Sequence, residues 1–139
     1  MIKKIRNILY LIDVLYGIGI ALFSTTIYLF MEKRGYSIAH INLFMASFWI
    51  VSFLAEVPSG VFSDSFGRRN VAILSCIIRG LGLLILFGIN GGIILLVISG
   101  GLTAIGSALY SGSMSSWAID EIQKVDPNYD FSLIFSKKK

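Results

Sequence analysis

The chain has 139 residues, of which 55% are hydrophobic and only 14% are charged. An ordinary globular domain carries about 25% charged residues, so this chain lacks the charge to cover a water-facing surface, and we expect its surface to face lipid. The same composition excludes a disordered chain. The net charge of +4 lies in short clusters between apolar segments, which is typical of membrane topology and not of nucleic-acid binding.

Four apolar segments predict four transmembrane helices. The first three contain one charged residue each and the fourth contains none, and all are close to or above the about 20 residues that a helix needs to cross a bilayer core about 30 Å thick. Only a helix satisfies its own backbone in lipid, so we predict an all-α, polytopic membrane protein. The segments cover residues 8–30, 38–62, 71–89 and 93–119, followed by a cytoplasmic loop or tail over residues 120–139.

The basic residues predict the orientation. Nine of them lie before the first segment, between the second and third, and after the fourth, whereas only Lys33 and Arg34 lie in loops on the other side. By the positive-inside rule both termini are cytoplasmic, and we expect the bacterial plasma membrane as the location. A signal peptide is the alternative for the first segment, but that segment is too long for one and no A-x-A cleavage site follows it.

The last twenty residues resemble a cytoplasmic loop interrupted before a further helix, because they are polar and end abruptly in three lysines. We therefore expect the chain to be truncated and to lack carboxyl-terminal helices. The alternative is a genuine basic carboxyl terminus that lies on anionic lipid.

The residue inventory argues against an enzyme. The single cysteine, Cys76, excludes an intrachain disulfide, and with the single histidine, His40, it forms no metal site of known spacing. No phosphate-binding G-x-x-x-x-G-K-[ST] motif and no Ser/His/Asp arrangement is present. We expect no catalytic residue, no metal, no cofactor and no nucleic-acid partner.

A charged motif occupies the predicted connection between the second and third helices. Gly60 allows another backbone to approach the end of helix two, and Gly67 permits a tight turn. Arg68 follows Asp64 by four residues, within reach of its carboxylate, and Arg68 and Arg69 also serve as positive-inside anchors. From these residue types alone, a simple topology anchor and a functional motif are equally favoured.

Three charged residues fall inside the predicted helices. Asp13, Glu56 and Arg79 lie roughly 8, 9 and 12 Å from the inner ends of their segments. Such charges are costly in lipid, so we expect them to face the bundle interior and to pair. Two acids and one base leave one acid in excess as a candidate proton carrier, and Pro58 predicts a helix bend that frees carbonyl groups. The alternative is that both acids reach the interface and Arg79 balances one of them; which acid is functional stays open.

The fourth segment carries small residues at a spacing of four, at Gly100, Ala104, Ala108 and Gly112. Such a stripe allows close helix contact, and plain packing is the favoured interpretation over a substrate path. Seven aromatic residues are compatible with an apolar drug cavity, and equally with core or lipid-facing positions. They are Tyr10, Tyr16, Phe23, Tyr28, Phe44, Phe48 and Trp49.

The charged motif resembles the cytoplasmic signature of the major facilitator superfamily, G-x-L-[AS]-D-x-x-G-R-[KR]. The chain departs from it at Phe62, where the family prefers Leu, and at Ser65, where a basic residue is usual. Residues 56–60 resemble the E-x-P-x-G variant found in a subset of the family, and residues 111–121, at the end of the fourth segment, resemble the same subset. The matching positions are Gly60, Ser63, Asp64, Gly67, Arg68 and Arg69.

This resemblance implies a transporter represented by the first four of twelve helices, which form part of a six-helix bundle. It assigns Asp64, Arg68 and Asp120 to a charge cluster that closes the cytoplasmic side. It further implies ion-gradient-driven efflux of small amphipathic molecules by alternating access. The partners would be membrane lipid, a small-molecule substrate, and the missing helices or a second chain, and we expect no transport by four helices alone.

Two alternatives to a transporter remain. One is a stand-alone four-helix membrane protein that packs or assembles with a partner through the small-residue stripe. The other is a truncated, non-functional gene product.

Overall fold

The computed structural model describes residues 2–88 and 92–127, apart from the side chain of Ser115. Within this part of the chain the structure consists of helices without strands, and each helix is long and apolar enough to cross a membrane. The predicted all-α, polytopic fold is confirmed. The helices are α1 (Ile2–Lys33), α2 (Ile38–Phe66), α3 (Arg68–Gly88) and α4 (Ile93–Gln123).

The helices extend beyond the apolar segments that predicted them. α2 continues to Phe66 and α4 to Gln123, so Asp120 lies on the last turn of a helix and not in a loop. The reason is local, because residues 63–66 and 120–123 include neither glycine nor proline, and helical hydrogen bonding persists where hydropathy ends. Ile89 and residues 128–139 of the predicted tail lie outside the described residues.

A single residue, Gly67, connects α2 to α3. Its φ of +87° lies in the left-handed region, which glycine adopts at little cost. The predicted tight turn is therefore shorter than expected, because most of the predicted connection is helical. The end of the bundle where α2 meets α3, and where α1 begins and α4 ends, is called the Gly67 end below. Helix α2 continues through Pro58 without a break.

Helix α4 lies against α3 with almost no side chain between the two backbones. A Cβ atom on Gly106 would lie 2.7 Å from the Cβ of Arg79 and 2.8 Å from the carbonyl oxygen of Ser75. On the facing helix, a Cβ on Gly82 would lie 2.9 Å from the backbone nitrogen of Thr103. Glycine is thus needed at both positions, Gly106 on α4 and Gly82 on α3.

The small-residue stripe of α4 faces α2. A Cβ on Gly100 would lie 3.0 Å from the carbonyl oxygen of Phe44, and a Cβ on Gly112 would lie 3.2 Å from the Oγ of Ser59. Ala104 and Ala108 are buried between these glycines. A Cβ on Gly60 would meet no atom within 4 Å. The glycine that allows close approach at this end is therefore Gly112, and the expectation placed on Gly60 is wrong for this contact.

Helix α1 packs against the bundle mainly through apolar clusters toward its two ends, and between them Tyr16 contacts Tyr110 of α4. Near the Gly67 end, Leu9 packs into an apolar cluster with residues of α4. Near the opposite end, Ile27 and Met31 pack with residues of the other three helices. Between these clusters Ile18 and Ile20 are exposed. The spacing leaves room for a cavity beside α1.

The α3–α4 contact predicts a sharp difference between two glycines of α4. Gly106→Ala inserts a methyl group against the backbone of α3, and overpacking of this kind costs about 1–3 kcal/mol. Gly101→Ala is the matched control, because its Cβ would lie 3.7 Å from Val51 Cγ2, an ordinary contact. The measurement is the free energy of unfolding in mixed micelles titrated with dodecyl sulfate. Equal stability of the two variants would contradict the described packing.

Candidate functional site

A charge cluster joins three helices at the Gly67 end. Nη2 of Arg68 lies 3.0 Å from Oδ1 of Asp64, and its Nη1 lies 2.9 Å from Oδ1 of Asp120. The same Nη1 donates to the carbonyl oxygen of Ser116 at 3.0 Å. Arg68 begins α3, whereas its partners belong to α2 and α4. One half-buried guanidinium therefore ties three helix ends together.

Helix dipoles disfavour each charge of this cluster on its own helix. Asp64 and Asp120 lie in the last turns of α2 and α4, where a negative charge is unfavourable, and Arg68 lies in the first turn of α3, where a positive charge is unfavourable. Each charge is compensated by a residue of another helix. The charges thus stabilise the junction between helices and not the individual helices.

The other motif residues have different positions. Gly67 supplies the turn that places Arg68 opposite Asp64, whereas Gly60 lies on α2 with open space at its Cβ position. Arg69 is exposed and takes no part in the salt bridges of the described residues. The structure therefore brings together Asp64, Arg68 and Asp120, and leaves Gly60 and Arg69 outside the cluster.

Arg79 is held by hydroxyl groups. It donates to the hydroxyl of Tyr16 and, at 3.2 Å, to Oγ of Ser107. Its guanidinium carbon also lies 5.0 Å from the centroid of the Tyr16 ring, in cation–π range. The cation thus connects α1, α3 and α4 in the middle of the bundle.

The predicted pairing of Arg79 with an acid is wrong within the described residues. Salt bridges there join Arg68 to Asp64 and Asp120, and Lys124 to Glu121. Glu56 is exposed on α2, and Asp13 interacts electrostatically with the hydroxyl of buried Tyr110. Arg79 instead contacts two hydroxyl acceptors and an aromatic face, an outcome that counting charges does not anticipate.

A cavity of about 420 Å³ lies between α1, α2 and α4, and Arg79 of α3 also lines it. Its walls are mainly apolar, with Glu56 as the second charged residue. Tyr16 stacks on Tyr110 with ring centroids 3.7 Å apart. Five of the seven aromatic residues singled out in the sequence line the cavity, namely Tyr16, Phe23, Phe44, Phe48 and Trp49.

Helical spacing on α1 was the missed signal for this cavity. Tyr16, Ile20, Phe23 and Ile27 follow one another at intervals of four, three and four residues, and all line the cavity. Residues at these intervals share one face of a helix. The size of the cavity, and its mainly apolar walls with a few polar groups, are typical of a site that binds a small molecule.

Comparison with known proteins identifies the family. The family model described as Major Facilitator Superfamily matches residues 9–126. The chain belongs to the major facilitator superfamily. The resemblance carried by the charged motif is thereby confirmed at the level of the family, and this major facilitator chain is an integral membrane protein. Membership favours a transporter over an enzyme.

A curated relative supports the same assignment. The uncharacterized MFS-type transporter YxaM of Bacillus subtilis (strain 168) is 27% identical over 111 residues, which cover 80% of this chain and 28% of the relative. The major facilitator chain thus spans little more than a quarter of that protein's length. No solved structure matches the major facilitator chain significantly.

The charge cluster predicts energetic coupling between α3 and α4. In a double-mutant cycle, Arg68→Ala and Asp120→Ala should deviate from additivity by about 0.5–1 kcal/mol, the upper part of the range for partly exposed pairs. The matched control is Lys124 with Glu121, an exposed pair within α4, whose coupling should be about 0.3 kcal/mol. Unfolding in dodecyl sulfate measures both. Additive effects of the first pair would contradict the tie between the helices.

Proposed function

We propose that this major facilitator chain supplies the first four helices of a secondary transporter that exports small amphipathic molecules by alternating access, driven by an ion gradient. The observation that carries the proposal is the 420 Å³ cavity between α1, α2 and α4, with aromatic walls and an arginine held among its lining residues. Four helices contribute one part of the substrate path, and further helices in the same or a second chain complete it.

Amphipathic substrates follow from the cavity walls. Aromatic rings of α1 and α2 offer apolar contact area, whereas Arg79, Glu56 and Ser111 offer polar contacts. A molecule with an apolar body and one polar group satisfies both parts of the surface. An inorganic ion would leave the aromatic wall unused.

Coupling to an ion gradient rests on the acids. Glu56 lies on the cavity wall, where a bound molecule and a proton compete for the same region. Asp13 lies one turn from Tyr16 on α1 and next to Tyr110 of α4. Intramembrane carboxylates of this kind are the usual carriers of protons in transporters. Both remain candidates for that role.

The charge cluster is suited to closing one side of the path. Asp120 lies on the same helix as the cavity residues Ser107 and Ser111, so a displacement of α4 at the cavity changes the distance from Asp120 to Arg68. Six basic residues that the structure describes lie toward the Gly67 end and two lie toward the other, so this end faces the cytoplasm of a bacterial plasma membrane. The cluster then opens and closes the cytoplasmic side during export.

Two phenylalanines of α2 test the proposed cavity. Phe48 lines it, whereas Phe53 is 76% exposed on the same helix and does not. The chain is placed in lipid nanodiscs and titrated with rhodamine 6G, an amphipathic dye. The fluorescence polarization of the dye should show saturable binding that exceeds its binding to nanodiscs without protein. Phe48→Ala should raise the Kd about tenfold, because a buried phenylalanine contributes about 1.5–3 kcal/mol.

Phe53→Ala is the matched control and should leave the Kd within about twofold, because its side chain contacts lipid. Binding that does not saturate, or an equal response of both variants, would contradict a substrate cavity between α1, α2 and α4. It would favour instead a four-helix protein whose function is assembly.

A further inference from the structure

Two further cavities adjoin at the Gly67 end, and both include Arg69 and Trp117. One, of about 380 Å³, has polar and apolar walls in similar measure and is also lined by Gly67, Arg68, Asn70, Asp120, Glu121 and Lys124. The other, of about 280 Å³, is largely apolar and lies between α1, α3 and α4. Together they form a groove with a polar head and an apolar stem, called the Arg69 groove below.

The polar head of the Arg69 groove is lined by three basic residues, Arg68, Arg69 and Lys124, and by two acids, Asp120 and Glu121. The charge of Arg68 is balanced by two acids, and that of Lys124 by Glu121 at 2.6 Å. Arg69 is exposed and takes part in none of these salt bridges. Among the described residues that line the head, Arg69 is thus the basic residue outside the salt bridges, and an anionic group can lie against it.

The apolar stem of the groove is exposed on the surface of the described helices. Ile73, which lines it, is 53% exposed, and Ile77 on the next turn of α3 is 54% exposed. The stem is also lined by Ala72, Cys76 and Met114. An acyl chain of a ligand that contacts Arg69 can therefore pack against the apolar side chains of the stem.

We propose that the Arg69 groove binds an anionic phospholipid. The phosphate of the headgroup lies against Arg69, the indole of Trp117 lies at the interface between headgroup and hydrocarbon, and one acyl chain follows the stem past Cys76. Basic pockets between transmembrane helices are suited to anionic headgroups, and tryptophan is enriched at this depth of the membrane. This site goes beyond the proposed transport function, which uses neither Arg69 nor Trp117.

Trp117 makes the proposal measurable. The chain has two tryptophans, so Trp49→Phe leaves Trp117 as the only source of tryptophan fluorescence. The protein is placed in phosphatidylcholine bilayers in which a rising fraction is replaced by phosphatidylglycerol or phosphatidylcholine with brominated acyl chains, which quench tryptophan on contact. Brominated phosphatidylglycerol should compete for the groove about fivefold better than brominated phosphatidylcholine, because one basic residue at the surface confers about that preference.

Variants at one position test the role of the charge. Arg69→Gln should lower the fivefold preference to about one, while brominated phosphatidylcholine still quenches Trp117, which shows that the variant is folded and inserted. Arg69→Lys should keep most of the preference, because a lysine retains the charge. Lys4→Gln is the matched control at the same end of the bundle, outside the groove, and should leave the preference unchanged.

Four results would overturn the proposal. No preference for phosphatidylglycerol means that the groove does not select anionic lipid. An equal loss in Lys4→Gln and Arg69→Gln means a diffuse surface potential in place of a site. A preference abolished by inorganic phosphate means that a soluble anion occupies the head of the groove. A Trp117 that neither brominated lipid quenches means that protein, and not lipid, covers the groove.

Discussion

Contact between the backbone of α4 and those of α2 and α3 determines where every other part of the structure lies. Lipid provides no hydrophobic force that drives helices together, so their association depends on packing and on hydrogen bonds between them. Gly106 of α4 and Gly82 of α3 bring the two backbones into contact, and Ser99 Oγ donates to the carbonyl oxygen of Gly82 at 2.7 Å. Gly100 and Gly112 do the same toward α2.

The cavity follows from the position of α4. Because α2 and α3 are held close to it, α1 packs against the bundle mainly through apolar clusters toward its ends. The space beside the middle of α1 becomes the cavity. Arg79 extends into this space from the point where Gly106 meets α3, and Tyr16 and Ser107 fix its guanidinium there.

The same helix connects the cavity to the charge cluster. Ser111 lines the cavity and Asp120 contacts Arg68, and at 1.5 Å per residue these positions lie about 13 Å apart along α4. A rigid helix of this length transmits a displacement from one site to the other. The proposed transport mechanism depends on this link and on the salt bridges by which Arg68 joins α3 to α2 and α4.

Much of the fold could be predicted from the sequence, because a lipid environment imposes simple rules. Hydropathy located four helices, and a spacing of four residues predicted the contact between Asp64 and Arg68. Hydropathy did not locate the helix ends, since helical hydrogen bonds continue past the lipid boundary to Phe66 and Gln123. It also placed Asp120 in a tail and not on a helix.

The interior of the bundle was harder to predict. Counting charges paired Arg79 with an acid, whereas hydroxyl groups of Tyr16 and Ser107 bind it in the structure. Aromatic residues of the cavity and of the lipid-facing surface have the same composition, so the sequence left their positions open. The distinction between Gly60 and Gly112 required the three-dimensional contact, because both glycines occur in patterns that favour close packing.

The proposed function requires that water reaches the cavity between α1, α2 and α4. Its most direct test is the accessibility of a single cysteine in a background of Cys76→Ser. Ser52→Cys places a thiol on the cavity wall, and Ile77→Cys places one on the exposed face of α3. In membranes, a charged, impermeant methanethiosulfonate should label the Ser52→Cys variant and leave the Ile77→Cys variant unlabelled. An unlabelled Ser52→Cys variant, or equal labelling of the two, would contradict the cavity and the transport function proposed for it.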